Sequence, residues 1–465
     1  MSPFSALAAQ ADSPNKVEPH QVDSTYRYWR KRILLSSLIG YATFYFVRTN
    51  IGNAIPDMQN QLGYSKARLG FILTVGGVVY GVSKFVNGFL GDRANPRYFM
   101  AIGLFVCAVM NLCFSASAAL VALAALWFLN NWAQGMGFPP CARNMAFWFS
   151  PKERSTTFGM WHTGHMIGAA LTAVLTGYLV KYLGWRSCFY VPAGLAIGGT
   201  LFILNRLRDT PGSLGLPTVE TYKGEEPPPP DAAENGDDSQ ARSADEVPYR
   251  QVVIEQVFKN KHLWIISVAN FFVYTLRYAT GLHWGPTQLQ EVKHLSQVAS
   301  GWLLSGFEIC GLTSALVGGY VADRYFRGRA GRVCLIATVI LTAALYLFWS
   351  VNQPLIAAAC FLVIGFTVYV PQMLIAAMAM NLGTKRASAA AVGLTGIFGY
   401  ASSVLSGWGV GRIVDTTGWD GAFKMLMACC FVTAALMALT WNVGAHAEAP
   451  SSSEACRRGQ SPIPQ

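Results

Sequence analysis

Apolar stretches about twenty residues long recur along almost the whole of this chain, separated only by short charged or Gly/Pro-containing links. A helix rises about 1.5 Å per residue, so about 20 such residues match the roughly 30 Å hydrocarbon core of a bilayer. A chain built this way has no spare polar surface with which to cover a soluble fold. Its balance of residues agrees: of 465, 52% are hydrophobic and 13% charged, where soluble domains carry roughly 25% charged. Backbone groups in lipid must be paired within their own segment, so apolar runs of this length form helices. The reading is an all-α membrane protein with twelve transmembrane helices. The first six lie at roughly 33–55, 69–92, 98–118, 120–146, 157–181 and 187–206. The second six lie at roughly 262–288, 299–322, 331–352, 354–380, 387–413 and 421–443.

The net charge of +11 raises the question of nucleic acid, and the placement of the charge answers against it. Arg27, Arg30, Lys31 and Arg32 precede span one; Arg93 and Arg97 follow span two; Arg143, Lys152 and Arg154 join spans four and five. Arg324, Arg327, Arg329 and Arg332, then Lys385 and Arg386, fall on the same side in the second half. Basic residues gathered in short loops on one side mark the cytoplasmic face, which places both termini in the cytoplasm of a bacterial-type inner membrane. The first 32 residues read as a cytoplasmic segment, with no apolar core and cleavage site of a removable leader. Cys107, Cys113, Cys334, Cys360, Cys429 and Cys430 fall within apolar spans, as small core residues rather than as a disulfide or metal framework.

Residues 207–261 are polar. They include Pro227 to Pro230 and an acidic run through Asp231, Glu234, Asp237, Asp238, Asp245 and Glu246. Such composition is expected to be a largely disordered cytoplasmic linker between bundles at 33–206 and 262–444, and a disordered tail is expected at 445–465. The halves repeat. Gly88-Phe-Leu-Gly-Asp92-Arg93 ends span two and Gly319-Tyr-Val-Ala-Asp323-Arg324 ends span eight; Arg48 in span one answers Arg277 in span seven; Gly184-Trp185 answers Gly418-Trp419. Three markers at nearly one offset, about 230 residues, point to a duplicated six-helix unit.

The Gly-x-x-x-Asp-Arg loops resemble the signature of the major facilitator superfamily. Within it the chain resembles the organophosphate:inorganic phosphate antiporters, a family of glycerol-3-phosphate, hexose-phosphate and phosphoglycerate transporters with a related hexose-phosphate sensor. The matching residues are Tyr41-x3-Tyr45-x2-Arg48, Tyr80-x3-Lys84, Phe138-Pro-Pro-Cys-x-Arg143, Arg154-Ser-x5-Trp161-x3-His165-x-Ile-Gly168, Tyr274-x2-Arg277-Tyr278 and Gly396-Ile-Phe-Gly399-Tyr400. The resemblance implies two six-helix bundles, exchange of a phosphate ester for inorganic phosphate, and no cofactor. It departs at Thr49, where the glycerol-3-phosphate transporter has a lysine, and at His283, where relatives often have an acidic or amide residue. One extra residue also stands between Arg277 and Trp284.

The residues support an anion site on their own terms. An arginine inside a membrane costs about 2.5 kcal/mol or more, faces the bundle interior and marks a pathway. Its planar fork stays charged and binds phosphate through two hydrogen bonds. Arg48 and Arg277, one per half, balance the charge of about −1.5 to −2 on a phosphate monoester. The bland alternative is an ion pair with a buried acid, and spans one and seven offer no obvious acid. His165 in span five matches the family at a position that implies substrate contact, and His162 lies one turn earlier. Lys84 adds positive charge and Glu308 removes some; either contacts substrate or holds helices together. Tyr41, Tyr45, Tyr80, Tyr274, Tyr278, Tyr369 and Tyr400 stand where the resemblance implies a cavity, though tyrosine in membrane helices more often packs or anchors. Asp92, Arg93, Asp323 and Arg324 are expected to latch the cytoplasmic face.

No hydrolase, nucleotide-binding or redox motif is present, and the P-loop pattern is absent. The reading is therefore not an enzyme but a carrier driven by the gradient of the exchanged anion. Its partners are a small anionic phosphate ester, inorganic phosphate and the bilayer. A rival reading is a sugar-phosphate receptor that signals through a partner kinase. The uncharged span eleven favours a small ester such as glycerol 3-phosphate.

Overall fold

The computed structural model describes residues 8–91, 93–225, 254–382 and 388–443. The segment 226–253 of the expected linker, the expected tail at 445–465, and Asp92 lie outside the described residues. Seven spans are single long helices: Lys66–Gly91, Pro96–Ala116, Pro151–Leu183, Ser187–Arg206, Gln297–Phe326, Ala330–Ser350 and Pro354–Leu382. Three are interrupted. Span one is Pro19–Phe46 followed by Ile51–Leu62, span four is Leu120–Gln134 followed by Phe138–Trp148, and span seven is Lys261–Arg277, a π-helical turn Tyr278–His283, then Gly285–Glu291. Spans eleven and twelve run from Ser388 to Leu439 through a second π-helical turn, Val404–Gly409. They part at Gly418, whose φ of 72° breaks the helix. Twelve crossings in two bundles result, the all-α architecture expected of the sequence.

Small residues bring the helices of each bundle close. A Cβ on Gly168 would stand 2.5 Å from the Ala42 carbonyl oxygen, and one on Gly164 would stand 2.9 Å from that of Leu38. Spans one and five therefore touch backbone to backbone in the Arg154–Gly168 stretch. Trp161 locks the same contact by donating to the Ser37 carbonyl at 3.2 Å.

The bundles meet on the face opposite the N-terminus. Lys66 Nζ pairs with Glu291 at 3.0 Å, while Asp415 accepts from the amides of Lys66 and Ala67 at 3.0 and 2.7 Å. A carboxylate from span eleven thus caps the first turn of span two, where the helix dipole favours negative charge. Deeper in, Thr74 donates to the Ser403 carbonyl at 2.9 Å. Toward the terminal face the bundles separate around about 970 Å³ of free space lined by Lys84, Phe138, Asn270, Tyr274, Gln372 and Tyr400 among others.

Two expectations need correction. The helix of span one starts at Pro19, well before residue 33, and the first part of the expected linker is ordered. Leu207, Leu216 and Val219 are buried in one cluster with Tyr26 and Ile33, and Tyr222 stacks on Tyr26 at 4.0 Å. The buried Asp209 pairs with Arg143 at 3.2 Å and accepts from the Gln10 amide at 2.7 Å, and Trp148 donates to its carbonyl at 2.7 Å. Composition averaged over 207–261 hid these few apolar anchors ahead of the proline run.

Candidate functional site

Arg48 sits in the interruption of span one. Breaking a helix in lipid frees carbonyl groups that have no water to bond, so the bundle must supply donors. It does so with amide side chains. Val47 O accepts from Asn111, Asn130 and Gln134 at 3.2, 3.0 and 3.4 Å, and Gln134 also reaches Phe44 O at 3.1 Å. Asn50 closes the cage by donating to Asn111 Oδ1 and Cys188 O, both at 2.8 Å. These bonds hold open the bend that turns Arg48 inward.

Arg277 ends the regular helix of span seven, and the π-helical turn begins with the next residue. A π turn accommodates one additional residue in a helix, and this one spans the six residues directly before Trp284. Trp284 Nε1 then anchors the end of this turn by donating to Ser406 O, inside the other π turn, at 2.9 Å.

Both arginines line one narrow space between the bundles, together with Tyr45, Thr49, Tyr80, Trp127, Asn131, Tyr278, His283 and Ser403. Their surroundings differ. The Arg48 guanidinium lies on the face of Tyr80, 3.6 Å from the ring centroid, and 5.2 Å from that of Tyr45. Among the described residues no carboxylate pairs with it. Arg277 is buried and donates to Tyr369 Oη at 2.7 Å, and Tyr369 donates in turn to Glu308 at 2.5 Å. Glu308 is wholly buried, and its second oxygen, like Arg277 Nε, has no hydrogen-bond partner. The acid absent from span seven thus arrives from span eight through a tyrosine of span ten. Cation–π contact and a tyrosine relay each leave part of a guanidinium fork available to an anion.

The remaining residues fall into three places. Tyr45, Tyr80 and Tyr278 share the central space with the arginines. Lys84, Tyr274 and Tyr400 line the larger space toward the terminal face, where Lys84 Nζ lies 3.4 Å from Tyr400 Oη and 4.2 Å from the Phe138 ring centroid. An edge-to-face pair of Tyr80 and Tyr400, 5.1 Å apart, stands between the two spaces. His165 and Tyr41 lie behind this surface. His165 is buried against Tyr45 at 5.4 Å and bonds the His162 carbonyl through Nδ1, while Tyr41 packs 4.9 Å from Trp161. Arg93, Asp323 and Arg324 are exposed on the parted terminal face, with no described ion pair between them.

Sequence reasoning did not single out the amide cage, nor the cavity residues Trp127, Asn131 and Ser403, nor a site role for His283. A signal existed for the amides: Asn111, Asn130, Asn131 and Gln134 are polar groups within apolar spans, where such residues are costly and therefore purposeful.

The model of the Major Facilitator Superfamily matches residues 37–407, and the chain belongs to that family. It is 40% identical over 428 residues to the "Probable hexose phosphate transport protein" of Chlamydia pneumoniae, covering 90% of this chain and 93% of that one. It is 37% identical to the "Glycerol-3-phosphate transporter" of Bacillus subtilis (strain 168), covering 93% and 97%, and 35% identical to the "Membrane sensor protein UhpC" of Escherichia coli (strain K12), covering 94% and 97%. Among solved structures, a bacterial homolog of the human lysosomal transporter Spinster in an inward-facing, unoccupied conformation shares the fold, with a TM-score of 0.69 at 14% identity over 89% of this chain and 95% of that one.

Proposed function

We propose that this protein exchanges a small organic phosphate ester for inorganic phosphate by alternating access. It resides in a bacterial-type inner membrane with both termini cytoplasmic. The observation that carries the reading is the pair of arginines, one from each bundle, lining a single central space. A dianion held between them bonds both bundles at once. Arg277 already has Glu308 as a distant counter-charge, but Arg48 has none among the described residues, and Lys84 adds to the excess. Sealing the empty site from water on both sides leaves this charge desolvated and unpaired, which is costly. An anion removes that cost, so the bundles rock fully only when loaded, and exchange follows without net uniport. The relatives named as hexose-phosphate and glycerol-3-phosphate transporters support the substrate class.

The test is reconstitution of the full chain into liposomes loaded with labelled phosphate, with candidate esters added outside. Efflux that requires an external phosphate or ester supports the carrier. Efflux into ester-free buffer at an equal rate overturns obligate exchange. Binding without any exchange favours the receptor reading, which the likeness to a sensor protein keeps in view and which would need a signalling partner such as a kinase.

A further inference from the structure

Four polar side chains of the central space belong to neither arginine: Thr49, Asn131, His283 and Ser403. Two of them are already engaged. Thr49 donates to Tyr45 O at 3.0 Å and Asn131 to Trp127 O at 2.9 Å. The other two are less fully bonded. Ser403 is wholly buried, yet its hydroxyl has no hydrogen-bond partner. The His283 ring stacks on Tyr278 at 4.9 Å and 18°, and its Nδ1 lies 3.5 Å from Ser406 Oγ, at the limit of a useful hydrogen bond. Buried polar groups are normally satisfied, and the unpaired Ser403 oxygen, held close to Gly77 at the edge of the cavity, points to a missing partner.

Both residues owe their positions to the π-helical turns. His283 is the last residue of the turn in span seven, and Ser403 immediately precedes the turn in span eleven. Deleting one residue of the turn in span seven would rotate His283 by roughly 100° about the helix axis, away from the place it now holds. The two turns pack together through Trp284 and Ser406, so the pair forms one wall, distinct from the aromatic surface around Arg48. Arginine forks recognise the phosphoryl group alone. The carbon skeleton of an ester needs donors and acceptors of its own.

We infer that His283 and Ser403 form a subsite for the hydroxyl groups of the organic part of the ester, and that they set preference for a polyhydroxylated phosphate ester over inorganic phosphate. The inference rests on the phosphate-ester reading above.

The experiment measures binding of glycerol 3-phosphate, glucose 6-phosphate and inorganic phosphate to the purified full chain by calorimetry, in wild type, His283→Ala and Ser403→Ala. Ser403→Ala removes an unpaired oxygen from the empty protein and leaves no partner behind, so it is the variant least exposed to misfolding. The expected result is a fall of about tenfold in the ratio of ester to phosphate affinity for His283→Ala and about threefold for Ser403→Ala. A ratio unchanged within about twofold in both variants overturns the subsite, as does a parallel loss of ester and phosphate binding, which marks a scaffold role. Liposome exchange on the same wild-type protein separates the two readings. A wild type that binds esters without exchanging them defeats antiport while the ratio still judges the subsite, and one that binds neither anion defeats both.

Discussion

The two halves of this protein hold equivalent arginines by different means. In the first half a helix breaks, amide side chains cap the broken carbonyls, and Arg48 rests on the face of Tyr80 with no described acid in reach. In the second half the helix swells into a π turn, and Arg277 is tied through Tyr369 to the buried Glu308. Sequence duplication preserved the charge and let the support diverge. The difference teaches which arginine is anchored: among the described residues Arg48 has no acid partner, so the anion proposed above would gain most there.

The comparison can be broken most directly at the guanidinium groups. Arg48→Lys and Arg277→Lys should each lower phosphate exchange at least about 100-fold, because an ammonium keeps the charge but loses the two-pronged bond. Exchange within about tenfold of wild type in either variant would show that the fork is not needed there. The next effect separates the halves. Arg277→Gln strands Glu308 and should lower stability by about 3 kcal/mol, whereas Arg48→Gln strands no acid and should be neutral or mildly stabilising. Thermal unfolding in detergent reads both, and adding Glu308→Gln to Arg277→Gln should restore stability without restoring exchange. Equal losses for the two single variants would erase the asymmetry. Tyr369→Phe tests the relay alone and should cost about 1–3 kcal/mol, since it leaves buried bonding groups unmet at both ends.

The smallest expected effect lies outside the membrane. Glu153, at the start of span five, pairs with Arg30, and with Lys223 at 3.4 Å. Burial alone would raise its pKa, but the Arg30 bond and charge, the Ser150 amide and Lys223 together hold it below the ordinary value. A group depressed in the folded state contributes stability above its unfolded pKa and loses it as pH falls through the folded one. Glu153→Gln should therefore cost about 1 kcal/mol or less near neutrality and nothing in acid beneath the carboxylate range, read from unfolding curves at both pH values.

The number of helices and the meeting of the two arginines on one inner space were legible because each rests on a local signal: apolar length, and a charge where lipid forbids one. The Tyr369–Glu308 relay was not, because it joins residues from spans seven, eight and ten that only the packed bundle brings together. Glu308 was visible as an acid in an apolar span, but nothing in its neighbours named Arg277. The packed stretch after Leu207 was missed for the opposite reason. Its apolar anchors are few and their partners, Tyr26 and Ile33, lie almost two hundred residues earlier.

The seam on the face opposite the N-terminus bears on the alternating access proposed above. A Cβ on Gly52 would stand 2.5 Å from the Leu282 carbonyl oxygen, and one on Gly301 would stand 2.6 Å from that of Ala173, so main chain lies against main chain across the two bundles. The wholly buried Trp284 packs in the same seam, where a Cβ on Gly70 would stand 3.1 Å from its ring. Under the alternating access proposed above, a single methyl group at either glycine should act as a doorstop, holding this face ajar while the arginines stay where they are.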